Sequence, residues 1–324
     1  MLARDPAFDV VGEASNGRLA LDLARDLEPD VITLDLHMPG WHGLETLERI
    51  LAEISTSVVI LSSYAQEGAD LTLRALTGGA VDFIDKSRVS TMALYDLERE
   101  LVMKLKAAAS SRSMAALPNA SSGERVDRPR ADLFVLGAST GGPRALQSIL
   151  SRLPADFPAR VLVIQHIPAG FTRALAERLD ETCQLPVCEL APGDSLAAGR
   201  VHVAPGGTDL TIDGRGADVR IVLHDKDKQR GGTSPSIDRA LDSAAAHYGA
   251  GLCAVILTGM GDDGVVGVGA VRERGGVVIA EAPSSCIVYG MPRAVSEAGL
   301  ASAVAPLGEI PGLMLALARD REGA

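Results

Sequence analysis

At 324 residues the chain is long enough for about two domains, each with its own core. Hydrophobic residues make up 47%, yet no apolar run reaches the roughly 18 residues that a membrane helix needs, and a formal net charge of −11 excludes a nucleic-acid surface, which depends on clustered Lys and Arg. The opening MLARDPAFDV lacks the charged-then-apolar layout of a secretory signal, so a cytoplasmic protein without membrane insertion is expected.

Through the first hundred residues, short β-branched runs alternate with helical patterns, predicting a parallel sheet covered by helices. FDVVGEA (8–14), DVITLD (30–35), TSVVILSS (56–63) and AVDFIDKS (80–87) read as strands with their trailing turns. GRLALDLARDL (17–27), GLETLERILAEI (43–54) and ADLTLRALTGG (69–79) read as helices between them. Ligands of such sheets collect at the C-terminal strand ends, where Asp35, Ser62 and Lys86 stand. An acid, a hydroxyl and an ammonium there suit a carboxylate that accepts a phosphoryl group while the other two meet its oxygens. The plainer alternative is three polar strand ends in solvent. After the charged helical stretch LYDLERELVMKLKAA (94–108), the composition turns to Ser, Ala, Pro and charge without apolar periodicity, which is linker chemistry. The boundaries expected are a first domain over 1–107, a linker over 108–131 and a second domain over 132–324.

The second domain repeats the alternation, predicting another α/β unit. Its strands are LFVLGA (133–138), RVLVIQ (160–165), RVHVA (200–204), VRIVL (219–223), CAVILT (253–258) and GVVIAE (276–281). Its helices are PRALQSILSRL (143–153), TRALAERLDET (172–182), SIDRALDSAAAHY (236–248) and GVVGVGAVRERG (264–275). GASTGG (137–142) follows the first strand, and Pro143 suits the first helical turn, where no backbone donor is lost. This turn has two readings. A glycine-rich strand-to-helix turn can cradle a dinucleotide phosphate, whereas G-x-S-x-G lifts a nucleophilic Ser139 out of the strand end. The phosphate reading is weakened because no acid follows the second strand where a ribose contact is expected; Gln165 and His166 stand there instead. Ser139, His166 and either Asp262 or Asp263 are a hydroxyl, an imidazole and a carboxylate at three strand ends, the parts of a nucleophilic triad. Their chain order, Ser then His then acid, differs from the Ser, acid, His order of α/β-hydrolases. The backbone N–H of Thr140, next to the nucleophile, is the oxyanion donor this arrangement offers. Cys183, Cys188, Cys253 and Cys286 show no metal-ligand spacing and read as small buried residues.

Two resemblances sharpen these readings. DLHMPGWHGLETL, the SS at 62–63 and GAVDFIDK resemble a two-component response-regulator receiver, a flavodoxin-like domain, over about 7–105. The resemblance implies Asp35 as phospho-acceptor, Ser62 as switch hydroxyl and Lys86 as the phosphate-contacting lysine. His42 stands where the family usually has Asp, and Ser87 where it often has Pro. The family's first strand, with its pair of metal-binding acids, is missing before FDVVGEA. A late start codon is the favoured reading and a degenerate receiver the alternative; as written, the chain is expected to have an N-terminally truncated receiver whose sheet has an unpaired edge and whose Asp35 accepts phosphate poorly. Mg2+ would serve phosphorylation if the acidic pair lies upstream.

GASTGGP, QHIPAGFTRALAERL, VHVAPGG, GGTSPSIDRALDSAA, LTGMGDDG and VYGMPRAVSEAG, in order from 137 to 299, resemble the catalytic domain of chemotaxis protein-glutamate methylesterases. The resemblance implies Ser139 as nucleophile, His166 as general base, Asp263 as the residue that orients it, and the Met260 N–H as a second oxyanion donor. Ile167 stands where Met is common and Glu281 where Gln is frequent. The implied reactions are hydrolysis of glutamate methyl esters and deamidation of glutamines on methyl-accepting chemoreceptors, with no cofactor for the esterase and a chemotaxis histidine kinase as phosphodonor. A small-molecule esterase or amidase and a non-catalytic signalling adaptor are the competing readings.

Overall fold

Helix α1 (Gly17–Leu27) begins where Asn16 turns its side-chain oxygen onto the Leu19 N–H at 3.0 Å, an N-cap that satisfies one orphan donor of the first turn. Its Leu21 and Ala24 are buried, while Arg25 reaches Glu53 at the end of α2 (Gly43–Glu53). These helices serve a parallel sheet of β1 (Val31–Asp35), β2 (Ser57–Ser62) and β3 (Asp82–Asp85) in the order β1-β2-β3. Val58, Val59 and Ile60 of the central strand are wholly buried, as expected of a parallel strand covered on both faces. Helices α3 (Gln66–Thr77) and α4 (Leu94–Met114) complete this unit.

The computed structural model describes residues 2, 5–38, 41–62, 66–86, 94–114, 130–214, 220–225 and 233–319, in two compact units, Met1–Met114 and Ala115–Ala324. Ser63, Ser87 and residues 115–129 of the expected linker lie outside the described residues.

Two expectations for the first unit are corrected. The run 8–14 forms no strand, and Val10 and Val11 are 47% and 49% exposed. A strand needs a ladder partner, and among the described residues β1 pairs on one side only, with β2. Helix α4 runs on to Met114, so residues 108–114 of the expected linker are helical. Ala107 to Ala109 are strong helix formers, and Ser57 Oγ donates to the Ala108 carbonyl at 2.7 Å, tying that turn to β2.

The second unit is built on seven parallel strands in the order β12-β11-β10-β4-β5-β7-β6. They are β4 (Leu133–Ala138), β5 (Arg160–Gln165), β6 (Val187–Glu189), β7 (Val201–Val203), β10 (Leu252–Ile256), β11 (Val277–Glu281) and β12 (Ala303–Ala305). An antiparallel hairpin of β8 (Thr208–Asp213) and β9 (Arg220–Asp225) lies outside that sheet. Helices α5 (Gly142–Leu150), α6 (Phe171–Asp180), α7 (Ile237–Tyr248), α8 (Val265–Glu273), α9 (Met291–Glu297) and α10 (Ile310–Ala318) cover it. Every residue of β4 is buried, and Leu133, Val135, Ile237, Leu241, Ile256 and Val268 share one core. The chain leaves β4 toward β5 and leaves β10 toward β11, in opposite directions, so the switch point of the sheet lies between β4 and β10. No helix among the described residues is long and apolar enough to cross a membrane.

Candidate active site

Ser139 follows β4 at that switch point. The ladder continues past the strand end: His166 N–H donates to the Ala138 carbonyl at 2.9 Å, and Ser139 N–H to the Thr258 carbonyl at 3.0 Å. Because Ala138 pairs with Gln165, residues 139 and 166 are the next neighbours in register on adjacent parallel strands, about 5 Å apart at the backbone. Glycines make the tight turn possible. Gly141 has φ 79°, the left-handed region that costs a side chain, and Pro143 sits in the first turn of α5 as expected. On the other side of the serine, a Cβ on Gly259 would come within 2.7 Å of the Ser139 Cβ. Gln165 locks the pair from below, its Nε2 donating to the carbonyls of Ser139 at 2.9 Å and His166 at 3.1 Å.

His166 enters from β5 and Asp263 from the loop after β10, the strands flanking β4. Their side chains meet, with Nε2 2.8 Å from Oδ2. The tautomer that donates to the carboxylate carries its proton on Nε2, which leaves the lone pair on Nδ1. Among the described residues neither Nδ1 nor the Ser139 hydroxyl has a hydrogen-bond partner.

Asp263 is held by more than the imidazole. It accepts the N–H of Ile237 at 2.8 Å and of Asp238 at 3.0 Å, the first residues of α7, and the Ser236 hydroxyl lies 3.3 Å away. The carboxylate thus sits at a helix N-terminus, where orphan donors and the dipole favour negative charge. Burial pushes the Asp263 carboxyl up, but the His166 bond and charge and the two N–H groups outweigh it and hold it below the usual carboxylate value. Asp238 makes the reciprocal cap, accepting the N–H of Gly264 and of Gly267 at the start of α8. Burial first, and then the neighbouring Asp263 charge, raise the Asp238 carboxyl. Asp262 is exposed and touches none of these groups through its side chain.

Spacing on the chain did not reveal the outer supports. Asp209 of β8 accepts the Ser236 N–H at 3.1 Å and pairs with Arg239 at 2.6 Å, anchoring the start of α7 from behind. Thr140 is the buried residue after the serine, and the Met260 N–H is given to no acceptor among the described residues.

In the first unit Lys86 Nζ lies 2.5 Å from Asp35 Oδ2, and Asp35 Oδ1 accepts the His37 N–H at 3.0 Å. Ser62 makes no hydrogen bond to this pair among the described residues. Thr72 Oγ1 is 2.6 Å from both Ser62 Oγ and the Gly68 carbonyl, so Thr72 donates to Gly68 and accepts from a wholly buried Ser62. Among the described residues no group of three or more His, Cys, Asp or Glu is placed to hold a metal ion.

Residues 134–314 match the family model described as CheB methylesterase, and residues 1–94 match that of the response regulator receiver domain. The chain is 43% identical to protein-glutamate methylesterase/protein-glutamine glutaminase 5 of Myxococcus xanthus, over 95% of this chain and 90% of the relative. It is 44% identical to the protein-glutamate methylesterase/protein-glutamine glutaminase of Symbiobacterium thermophilum, over 96% and 90%. Among solved structures it is similar to the Thermotoga maritima CheB methylesterase catalytic domain, with 43% identity and a TM-score of 0.56, covering 58% of this chain and 98% of that one.

Proposed function

The chain belongs to the CheB methylesterase family, with a response-regulator receiver ahead of the catalytic domain, and on that premise we propose that it hydrolyses glutamate methyl esters and deamidates glutamines of chemoreceptors by a Ser139, His166, Asp263 triad. The observation that carries the triad is the 2.8 Å bond between His166 and Asp263 over the end of the strand that delivers Ser139.

Ser139 Oγ attacks the side-chain carbonyl and His166 Nδ1 takes its proton. Asp263 steadies the imidazolium through Nε2–H and stays ionised, as its helix-end position favours. The tetrahedral oxygen is met by the N–H groups of Thr140 and Met260. His166 then protonates departing methanol, or ammonia from a glutamine, and water clears the acyl-enzyme to leave a glutamate carboxylate.

Receptor membranes carrying labelled methyl groups test this reading directly. The full chain should release labelled methanol and convert receptor glutamine to glutamate. Turnover of small soluble esters with methylated receptor left intact would sink the receptor assignment in favour of a small-molecule esterase.

The receiver restrains this chemistry until a chemotaxis histidine kinase phosphorylates Asp35, whose carboxylate faces Lys86. Receiver domains in general use Mg2+ for that step. The linker composition of the segment between the domains supports regulated docking, and the related Thermotoga maritima catalytic domain is a solved structure in its own right. A fragment of residues 131–324 is expected to turn over receptor faster than the full chain. Equal or slower turnover by the folded fragment would contradict restraint by the receiver.

A further inference from the structure

β11 ends in Glu281, whose side chain is wholly buried and meets no cation among the described residues. One oxygen, Oε2, lies 2.8 Å from the Thr258 N, and the other, Oε1, lies 2.9 Å from Ser285 Oγ. An ionised carboxylate in this place would be a buried charge without a counter-ion, a costly state. A neutral acid satisfies every group around it. Its carbonyl oxygen accepts the Thr258 N–H and its O–H goes to Ser285. Ser285 passes its own proton to the Ala282 carbonyl at 3.3 Å and accepts the Leu307 N–H at 2.9 Å.

Thr258 is the residue that grips the nucleophile turn. Its carbonyl receives the Ser139 N–H at 3.0 Å and its hydroxyl donates to the Thr140 carbonyl at 3.0 Å, while accepting the Val288 N–H at 2.9 Å. Both residues of the turn, the nucleophile and an oxyanion donor, are therefore held by a residue that Glu281 holds.

We propose that Glu281 is a positioning residue for the hydrolysis, working as a neutral carboxylic acid that fixes Thr258 and, through it, Ser139 and Thr140. Its link to catalysis rests on Ser139 being the nucleophile. Burial raises the Glu281 carboxyl, and its hydrogen bonds with Thr258, Ser285 and Cys286 offset this only in part. Cys286 is the titratable group beside it, its thiol in turn pushed up by burial and by Glu281. Cys253 lies at the far end of β10, β12 brings no titratable side chain, and Arg272, Glu273, Arg293 and Glu297 on α8 and α9 are exposed. An acid raised in the folded state contributes its full stability below the ordinary carboxyl range and loses it as pH rises through the folded value. Ionisation of Glu281, as pH rises through its raised folded-state value, should loosen the turn and lower kcat.

The test uses the full chain and methylated receptor membranes. Glu281→Ala is expected to lower kcat about tenfold with KM little changed, the scale of one lost buried hydrogen bond. Glu281→Gln should rescue kcat, because its amide carbonyl can take the Thr258 N–H and its N–H can reach Ser285, and it should abolish the loss of kcat and stability that follows as pH rises through the Glu281 value. An infrared difference spectrum, wild type minus Glu281→Gln at neutral pH, should contain the C=O band of a protonated carboxyl group. Absence of that band, or a Gln variant as impaired as the Ala variant, would overturn the proposal. If the Ala variant does not fold, the Gln variant and the band decide it. Activity surviving in Ser139→Ala would overturn the catalytic half and leave the neutral acid, read from the band, standing.

Discussion

Ser139→Ala should abolish methanol release from methylated receptor, and His166→Ala should come close to it. Serine is a poor nucleophile at neutral pH, so its hydroxyl and the base that takes its proton fail as one unit. His166 has a single ring nitrogen without a partner among the described residues, Nδ1, because Nε2 lies 2.8 Å from Asp263. The double variant should therefore be no worse than either single one, all sitting at the residual rate that the oxyanion donors and binding supply, roughly 10³ to 10⁴ above water. The removed hydroxyl had no hydrogen-bond partner among the described residues, so thermal unfolding of Ser139→Ala should match wild type. Turnover by Ser139→Ala within about tenfold of wild type, measured on the same membranes, would refute the assignment of the nucleophile.

The second large effect separates two adjacent carboxylates. Asp263→Asn should lower kcat roughly a thousandfold or more, because an amide in that position can stabilise the wrong imidazole tautomer and cannot balance an imidazolium. Asp262→Asn should leave stability within about 0.5 kcal/mol and activity close to wild type, as its side chain is exposed and outside the network. Asp263 also caps α7, so its replacement should cost stability of about 1 kcal/mol, the worth of a helix cap. The pH dependence follows with a definite sign. A carboxyl held below its unfolded value contributes stability above the ordinary carboxyl range and loses it as pH falls through the folded value. Wild type should therefore lose stability on acidification more steeply than Asp263→Asn, while the raised Asp238 works in the opposite direction. Parallel acid unfolding curves for the two proteins would contradict this account, and full activity in Asp263→Asn with loss in Asp262→Asn would exchange the roles of the two acids.

Much of this was legible along the chain. The strands 133–138 and 160–165 stand at their expected bounds because fully apolar runs, closed by a glycine turn or a polar residue, have one way to be buried in a parallel sheet. The same holds for α1, over 17–27. The short edge strands β6 and β12, of three residues each, carry too little pattern to be seen and exist because a neighbouring strand offers a ladder. The opposite failure is 8–14, which has the pattern and lacks the partner.

What the sequence determined by itself was local: the alternation of elements, the turn that carries Ser139, and the presence of an imidazole and acids at other strand ends. Spacing left Asp262 and Asp263 equivalent, and the family resemblance preferred the second without a mechanical reason. Only the tertiary structure distinguishes their surroundings, since Asp263 reaches two N–H groups of α7 and an imidazole from another strand at once. It also decided that Ser62 turns to Thr72 and that Glu281 is buried without a cation. These are properties of what surrounds a residue, contributed by segments far away in the chain: 97 positions separate His166 from Asp263. Periodicity records which face of an element is buried, whereas hydrogen-bond partners and charge environment are set when the sheet brings its strand ends together.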